Sequence, residues 1–432
     1  MCESIRKAIS SLYSVDCGSN VISNVKIRDA EAALTFVVGD VSLQNVEIAT
    51  SQTALSLPSK SSLRLTSCKF HSNQFAVNAV DARHVNISSC AFQLNQNAVL
   101  LRQVQLVNVE DCLFSGNTRS ISVSSSSSHG AIFIKRSRFD HNAVEITAER
   151  AAELSASVED CHFSSSQLAV NGHHQSLISS VVVANSTFQS SGVRIGGSVP
   201  SRVWIFGCSF RRLVSNRAVV ELSGSSLHNV TLAGNVFEEN RRAPCVNVEV
   251  LAAPGYITPG LISIVGNSFA NNSRASVIVI NDRAYHHMEL LRNAFENPLC
   301  PFEIEVQSPW RSGYAVNASE NWWGSANRKH VADRISDVFV DSQKAKVGIT
   351  SFYSDREMTR LEVFPDLRTW NVTGDKLVGG ELDRNVTLAS SNTSYYVNKS
   401  IYIPRGFQLQ LEGNITLHFA ERRGIIVEGK CA

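Results

Sequence analysis

The stretch Leu63–Asn73, LRLTSCKFHSN, is followed by two near copies, VNISSCAFQLN ending at Asn95 and VNVEDCLFSGN ending at Asn117. Phe70, Phe92 and Phe114 therefore fall at a constant interval of 22 residues. A fixed period of that size marks a solenoid, in which one turn cannot bury its own apolar face and must stack on its neighbours. With the recurring aromatic as position zero, the series continues through Phe139, Phe163, Phe188, Phe210, Phe237, Phe269 and Phe295. Weaker copies put Ile27 and Ile48 at that position before Phe70, and Trp323 after Phe295, giving roughly thirteen coils.

Every copy carries the same local pattern. Positions −7 and −5 are apolar throughout, from Leu63 and Leu65 to Met288 and Leu290. This period-two alternation is that of a strand with one buried face. Position −2 is Cys, Ser or Asn, and the three-residue step from −5 requires a bend there. Position +3 is often Asn (Asn73, Asn95, Asn117, Asn142, Asn240, Asn272). Asn tolerates the left-handed backbone of a sharp corner, and stacked Asn amides can pair along the axis. Val77, Val99, Ile121, Ile146, Val170 and Ile195 at +7 give a second buried strand. No helix of ordinary length fits between copies, so the coil is a parallel β-helix, all-β, with coils about 4.8 Å apart.

The 432 residues are 43% apolar and 18% charged, which suits strands and polar turns better than charged helices. A net charge of +2 without a Lys/Arg run gives no support to nucleic-acid binding. No apolar run approaches the ~18 residues of a membrane-spanning helix, and the N-terminus lacks the apolar core of a secretory leader. Residues 1–325 are assigned to the β-helix, and residues 326–372 to a capping helix (Val331–Phe339), a last strand (Lys346–Asp355) and a linker. Residues 373–432 read as the start of a second β-helix, and the chain as an incomplete piece of a longer protein.

NWWG (Asn321–Gly324), ISDVFVD (Ile335–Asp341) and VGITSFY (Val347–Tyr353), followed by the restart at Leu377–Gly429, resemble the close of one β-helix domain and the opening of the next in the Bark beetle/Anakonda type of invertebrate tricellular-junction protein. The resemblance implies right-handed, pectate-lyase-like coils in the ectodomain of a membrane protein that organises septate junctions where epithelial cells meet. Membrane span, scavenger-receptor and lectin modules of that family have no counterpart in this sequence.

Cys68, Cys90, Cys112, Cys161 and Cys208 share position −2. They are either a buried column of small side chains or, between Cys68 and Cys90 or Cys90 and Cys112, disulfides. Glu110, Lys135 and Glu159 share −4, and Asp111, Arg136 and Asp160 share −3. Their alternation reads as a salt-bridge stack holding register, against an acid–base site of a polysaccharide lyase or glycosidase. Val182, Trp204 and Phe206 interrupt the polar outward face and form a candidate partner patch. His173–His174 and His286–His287 are adjacent pairs whose side chains diverge in a strand, and Ser124–Ser128 is a turn. Ten sequons (Asn86, Asn185, Asn229, Asn271, Asn317, Asn371, Asn385, Asn392, Asn398 and Asn414) are candidate glycosylation sites, and the placed ones avoid the buried positions.

The sequence thus describes a non-catalytic extracellular scaffold of a cell-adhesion or cell-junction protein, without cofactor or metal. Its expected partners are proteins at cell contacts, homophilic ones included, and glycans, with no nucleic acid and no membrane insertion. The alternatives are a carbohydrate-active β-helix enzyme, lyase or epimerase, and a glycan-binding rod without chemistry.

Overall fold

The computed structural model describes residues 20–36, 39–57, 59–125, 129–148, 153–172, 177–197, 202–224, 227–251, 260–364, 368–372, 376–389 and 394–428. Asn392, His173 and His174, part of the Ser124–Ser128 turn and the first nineteen residues lie outside these, as does the side chain of Asn371.

Three long sheets run the length of a solenoid. The first has fourteen strands from Asn20–Ser23 to Lys346–Gly348, the second fifteen from Lys26–Arg28 to Leu361–Val363, and the third thirteen from Ala32–Thr35 to Ile335–Ser336. Within each sheet every strand pairs in parallel with the equivalent strand of the next coil, up to one antiparallel closing strand. Phe70 lies opposite Phe92 and Phe92 opposite Phe114. The fold is a parallel β-helix, as the 22-residue interval requires.

Identical residues at identical register put the phenyl rings on top of one another. From Phe70 to Phe295 neighbouring ring centroids are 4.7–5.2 Å apart and the planes within 14° of parallel. Trp323 continues the column at 5.1 Å from Phe295. All of these side chains are buried. The spacing is the strand spacing of the sheet, so backbone pairing dictates the stack and the rings add about 0.5–1.5 kcal/mol per contact beyond their burial.

Corners set a second constraint. Residues at −3 are left-handed in coil after coil, among them Ser67, Ser89, Asp111, Arg136, Asp160 and Asn185, with φ of 44–54°. Residues at +2, including Ser72, Leu94, His141, Ser165, Ser190 and Arg212, do the same at 48–58°. The left-handed residue was expected to be the Asn at +3. It is instead the residue before it, and Asn +3 turns its side chain inward. The left-handed twist lets corner amides keep reaching the next coil, as in Leu94 N–H to the Ser115 carbonyl at 2.9 Å.

Amides that the bend points inward are satisfied by side chains. Asn95 Nδ2 donates to Asn117 Oδ1 at 2.9 Å and to the Phe70 carbonyl at 3.0 Å, while its own backbone N–H donates to Asn117 Oδ1 at 2.9 Å. The same pattern links Asn73 to Asn95 and Asn117 to Asn142, then passes through Ser166 and Ser191 and resumes at Asn240, Asn272 and Asn297. Asn297 donates to Glu303 at 2.8 Å, and Arg334 pairs with that carboxylate. Burial outweighs these partners and raises the Glu303 carboxyl above its ordinary range.

The far end differs from expectation. The helix is Arg328–Asp333, earlier and shorter than Val331–Phe339, and Asn327 Oδ1 caps it by accepting from the Lys329 and His330 amides. Ile335 leaves the helix and pairs with Ile304, because the strand Phe302–Val306 would otherwise present an open edge. The sheets continue beyond residue 325 through Lys346–Gly348 and Ser351–Tyr353, and antiparallel Leu361–Val363 covers the last edge. Strands Leu377–Glu381, Ser394–Ile403 and Thr416–Phe419 then pair in parallel around a smaller core. The buried ion pair of Arg368 with Asp337 (2.6 Å) and the half-buried pair of Lys346 with Glu381 (2.5 Å) join this segment to the close of the first stack.

Replacing Phe163 by Ala opens a cavity with rings on both sides, and urea unfolding should show a loss of about 3–5 kcal/mol. Asn95→Ala strips acceptors from the Asn73 amide groups and should cost about 1–3 kcal/mol per orphaned group in the same measurement.

Candidate interaction surface

The first sheet presents rows −6 and −4 outward, and the character of these rows changes along the rod. On three successive coils row −4 is charged, with Glu110, Lys135 and Glu159 opposite one another. Lys135 Nζ lies 3.1 Å from Glu159 Oε2, and Arg136 Nε 2.9 Å from Asp111 Oδ1, while a second Arg136 nitrogen pairs with Glu110. The Arg136 guanidinium holds the Asp111 carboxyl below its usual value, and the two acids raise Arg136. The interleaving expected from the sequence is present, with a cation between the acids on adjacent coils.

From Ala184 on, row −4 is apolar. Ala184, Phe206, Ala233, Val265 and Leu291 lie opposite one another on five successive strands. Beside them in row −6, Val182 pairs with Trp204. Trp204 is 43% and Phe206 40% exposed, so no loop among the described residues folds over them. Val182 is half-buried. The structure brings the three predicted patch residues onto adjacent strands. Sequence reasoning missed the continuation through Ala233, Val265 and Leu291. Its signal in the sequence is the run of apolar residues at position −4 from Ala184 to Leu291.

The cysteine column is buried, with each of Cys68, Cys90, Cys112, Cys161 and Cys208 at most 3% exposed and free, as are Cys245 and Cys300. The residues that share this position share a task. Cys68 N–H donates to Cys90 Sγ at 3.3 Å, Cys112 N–H to Ser137 Oγ at 3.1 Å, Cys161 N–H to Ser186 Oγ at 3.1 Å and Cys208 N–H to Asn235 Oδ1 at 2.9 Å. Each side chain at −2 is thus a small acceptor for the coil before it. Burial pushes the Cys161 thiol up to about 12 and Cys208 to about 11, away from reactive thiolate.

Sequons divide by environment. Asn185, Asn229, Asn271, Asn398 and Asn414 are exposed, and Asn185, Asn271 and Asn414 are at left-handed corners. Asn385 is exposed with Oδ1 accepting from the Gln408 amide. Asn86 and Asn317 are half-buried, with Oδ1 accepting from Asn108 Nδ2 and the Ser319 amide.

Other polar clusters do structural work. His286 and His287 diverge as expected: His287 meets Glu289 at the surface, whereas His286 is buried 3.0 Å from Asp282. Asp282 is sealed and accepts from the amides of Ala284, Tyr285 and His286 and from the Tyr314 hydroxyl, which pins the loop after Ser276–Asp282. Among the described residues no group of three His, Cys, Asp or Glu gathers to hold a metal, and no helix is long and apolar enough to cross a membrane.

Residues 11–155 match the family model described as right handed beta helix region, in keeping with the right-handed form expected for the coils. Searches of curated proteins and of solved structures returned no match.

Two outcomes follow. Cys90→Ser keeps an acceptor for Cys68 N–H and should lower stability less than Cys90→Val, although Val is the more apolar; urea midpoints of the two variants decide it. Lys26 and Arg28, each 3.0 Å from Glu47, hold its carboxyl at about 2. A depressed carboxyl stabilises above its ordinary value of 4.5 and loses that contribution as pH falls toward 2. The melting-temperature gap between wild type and Glu47→Gln should therefore close over that window.

Proposed function

We propose that this β-helix is a non-catalytic extracellular scaffold of a cell-adhesion or cell-junction protein, acting through contacts made by the outer face of its first sheet. The apolar run of Phe206, Ala233, Val265 and Leu291, with Trp204 alongside, carries this reading. A soluble surface rarely keeps exposed aromatics contiguous without a partner for them. Support for a non-catalytic role comes from the acids of the charged coils: the Arg136 guanidinium is already paired with both Glu110 and Asp111. Six exposed sequons on the rod and the segment after it support an extracellular setting. The resemblance in the NWWG and restart segments supports the junctional assignment.

Beads coated with the protein should cluster, with each other or with epithelial cell surfaces. The double substitution Trp204→Ala with Phe206→Ala should reduce clustering at least tenfold while the melting temperature stays close to wild type. Clustering that survives the substitution overturns the contact assignment. Secretion behind an added leader should yield glycans at Asn185, Asn229 or Asn271 by peptide mapping, and a fully unoccupied chain overturns the extracellular assignment.

A further inference from the structure

A second surface lies at the corner between the second and third sheets, away from the aromatic face. A trough of about 540 Å³ crosses coils from Asn117 to Glu221, lined among others by His141, Ser165, Gln167, Ser190, Gly192 and Arg194. Arg217, Ala218 and Glu221 also line the adjoining cavity of about 290 Å³, which reaches Arg274 and Gln307. The two are one axial groove with a shared saddle.

The charge along this groove is uneven. Arg211 and Arg212 are neutralised by Glu238 and Glu239 at 3.1 and 2.7 Å. Beyond them Arg217 and Arg274 line the groove, and Arg241 and Arg242 lie on the coil between, outside its lining. All four are exposed, and among the described residues none forms a salt bridge, although Arg241 is near enough to Glu239 to help lower its carboxyl. They lie on three consecutive coils. Arg241 is bridged to Val214 on one side and Ser273 on the other, so Arg242 and Arg274 occupy the same level of neighbouring coils. Arg242 stands at a left-handed corner with φ of 71°. The carboxylates nearby are engaged: Glu221 faces Arg194 at 3.8 Å, and Glu305 is held by Lys344 and Ser276.

We infer that this groove binds an extended acidic polysaccharide, lying along the rod axis with its carboxylate or sulfate groups on Arg217 and Arg274 in the groove and on Arg241 and Arg242 at the exposed corner of the coil between them. Guanidinium forks take planar or tetrahedral oxyanions through paired hydrogen bonds. Coils about 4.8 Å apart repeat at nearly the length of one pyranose in an extended chain, so Arg242 and Arg274, level on neighbouring coils, meet successive sugars. The Ser, Gln and Asn side chains between them offer partners for hydroxyl groups, which an acidic peptide lacks. The inference does not depend on the protein contact proposed for the first sheet.

The test titrates the full chain with a heparin oligosaccharide, with hyaluronan as a carboxylate-only chain and with polyglutamate. Heparin should bind, and Arg217→Ala, Arg241→Ala, Arg242→Ala and Arg274→Ala together should weaken it at least tenfold and flatten its salt dependence. The four Lys variants, which keep charge and lose the fork, should lose an intermediate amount and serve if the Ala set unfolds. Hyaluronan binding too would assign carboxylate recognition, and heparin alone sulfate. Absence of heparin binding, equal loss on replacing Arg83, Arg102 and Arg119, or polyglutamate binding as tightly would overturn the proposal.

Discussion

The rest of the structure depends on one constraint: an amide turned inward at a corner must find an acceptor in the next coil. A strand bend aims backbone N–H groups into an apolar interior, where an unmet donor costs about 1–3 kcal/mol. This chain meets the demand with a side chain in register on the neighbouring coil, Cys, Ser or Asn at −2 and Asn or Ser at +3. Because every coil is both donor and acceptor, the ladder fixes coil length at the corners and leaves it free in the turns. The interval can then grow from 22 residues between Phe70 and Phe92 to 32 between Phe237 and Phe269 while the rings remain 4.8 Å apart.

That division separates structure from recognition. Inward positions repeat and build the rod; outward positions are free to vary, and they do. The same first-sheet row that carries Glu110, Lys135 and Glu159 carries Phe206, Val265 and Leu291 farther along. The second-to-third corner passes from small Ser side chains to the exposed arginines Arg217 and Arg274. One scaffold can therefore hold an apolar contact and a cationic groove on separate faces without either disturbing the core.

Strand positions, buried columns and the Phe stack were legible in the sequence because they follow from a fixed interval and period-two alternation. The patch of Val182, Trp204 and Phe206 was legible as a break in a polar row. What was misjudged depended on partners remote in sequence. Asn +3 was credited with the left-handed corner, yet its amide is worth more pointing inward to the next Asn, and the strain falls on residue +2, whatever its type, even Leu94. The pattern of Val331, Ile335 and Phe339 fits a helical face, but the open edge at Ile304 claims Ile335 for a strand. The function of the cysteine column as acceptors could not be read from burial alone; its Ser and Asn alternates were the clue.

Hydrogen exchange resolved to single amides tests the ladder most directly. The corner N–H of Asn95, bonded to Asn117 Oδ1, and that of Cys208, bonded to Asn235 Oδ1, should exchange as slowly as the strand amides of Phe92 and Phe210. Exchange of these corner amides at the rate of exposed turns, with the strands still protected, would contradict the account.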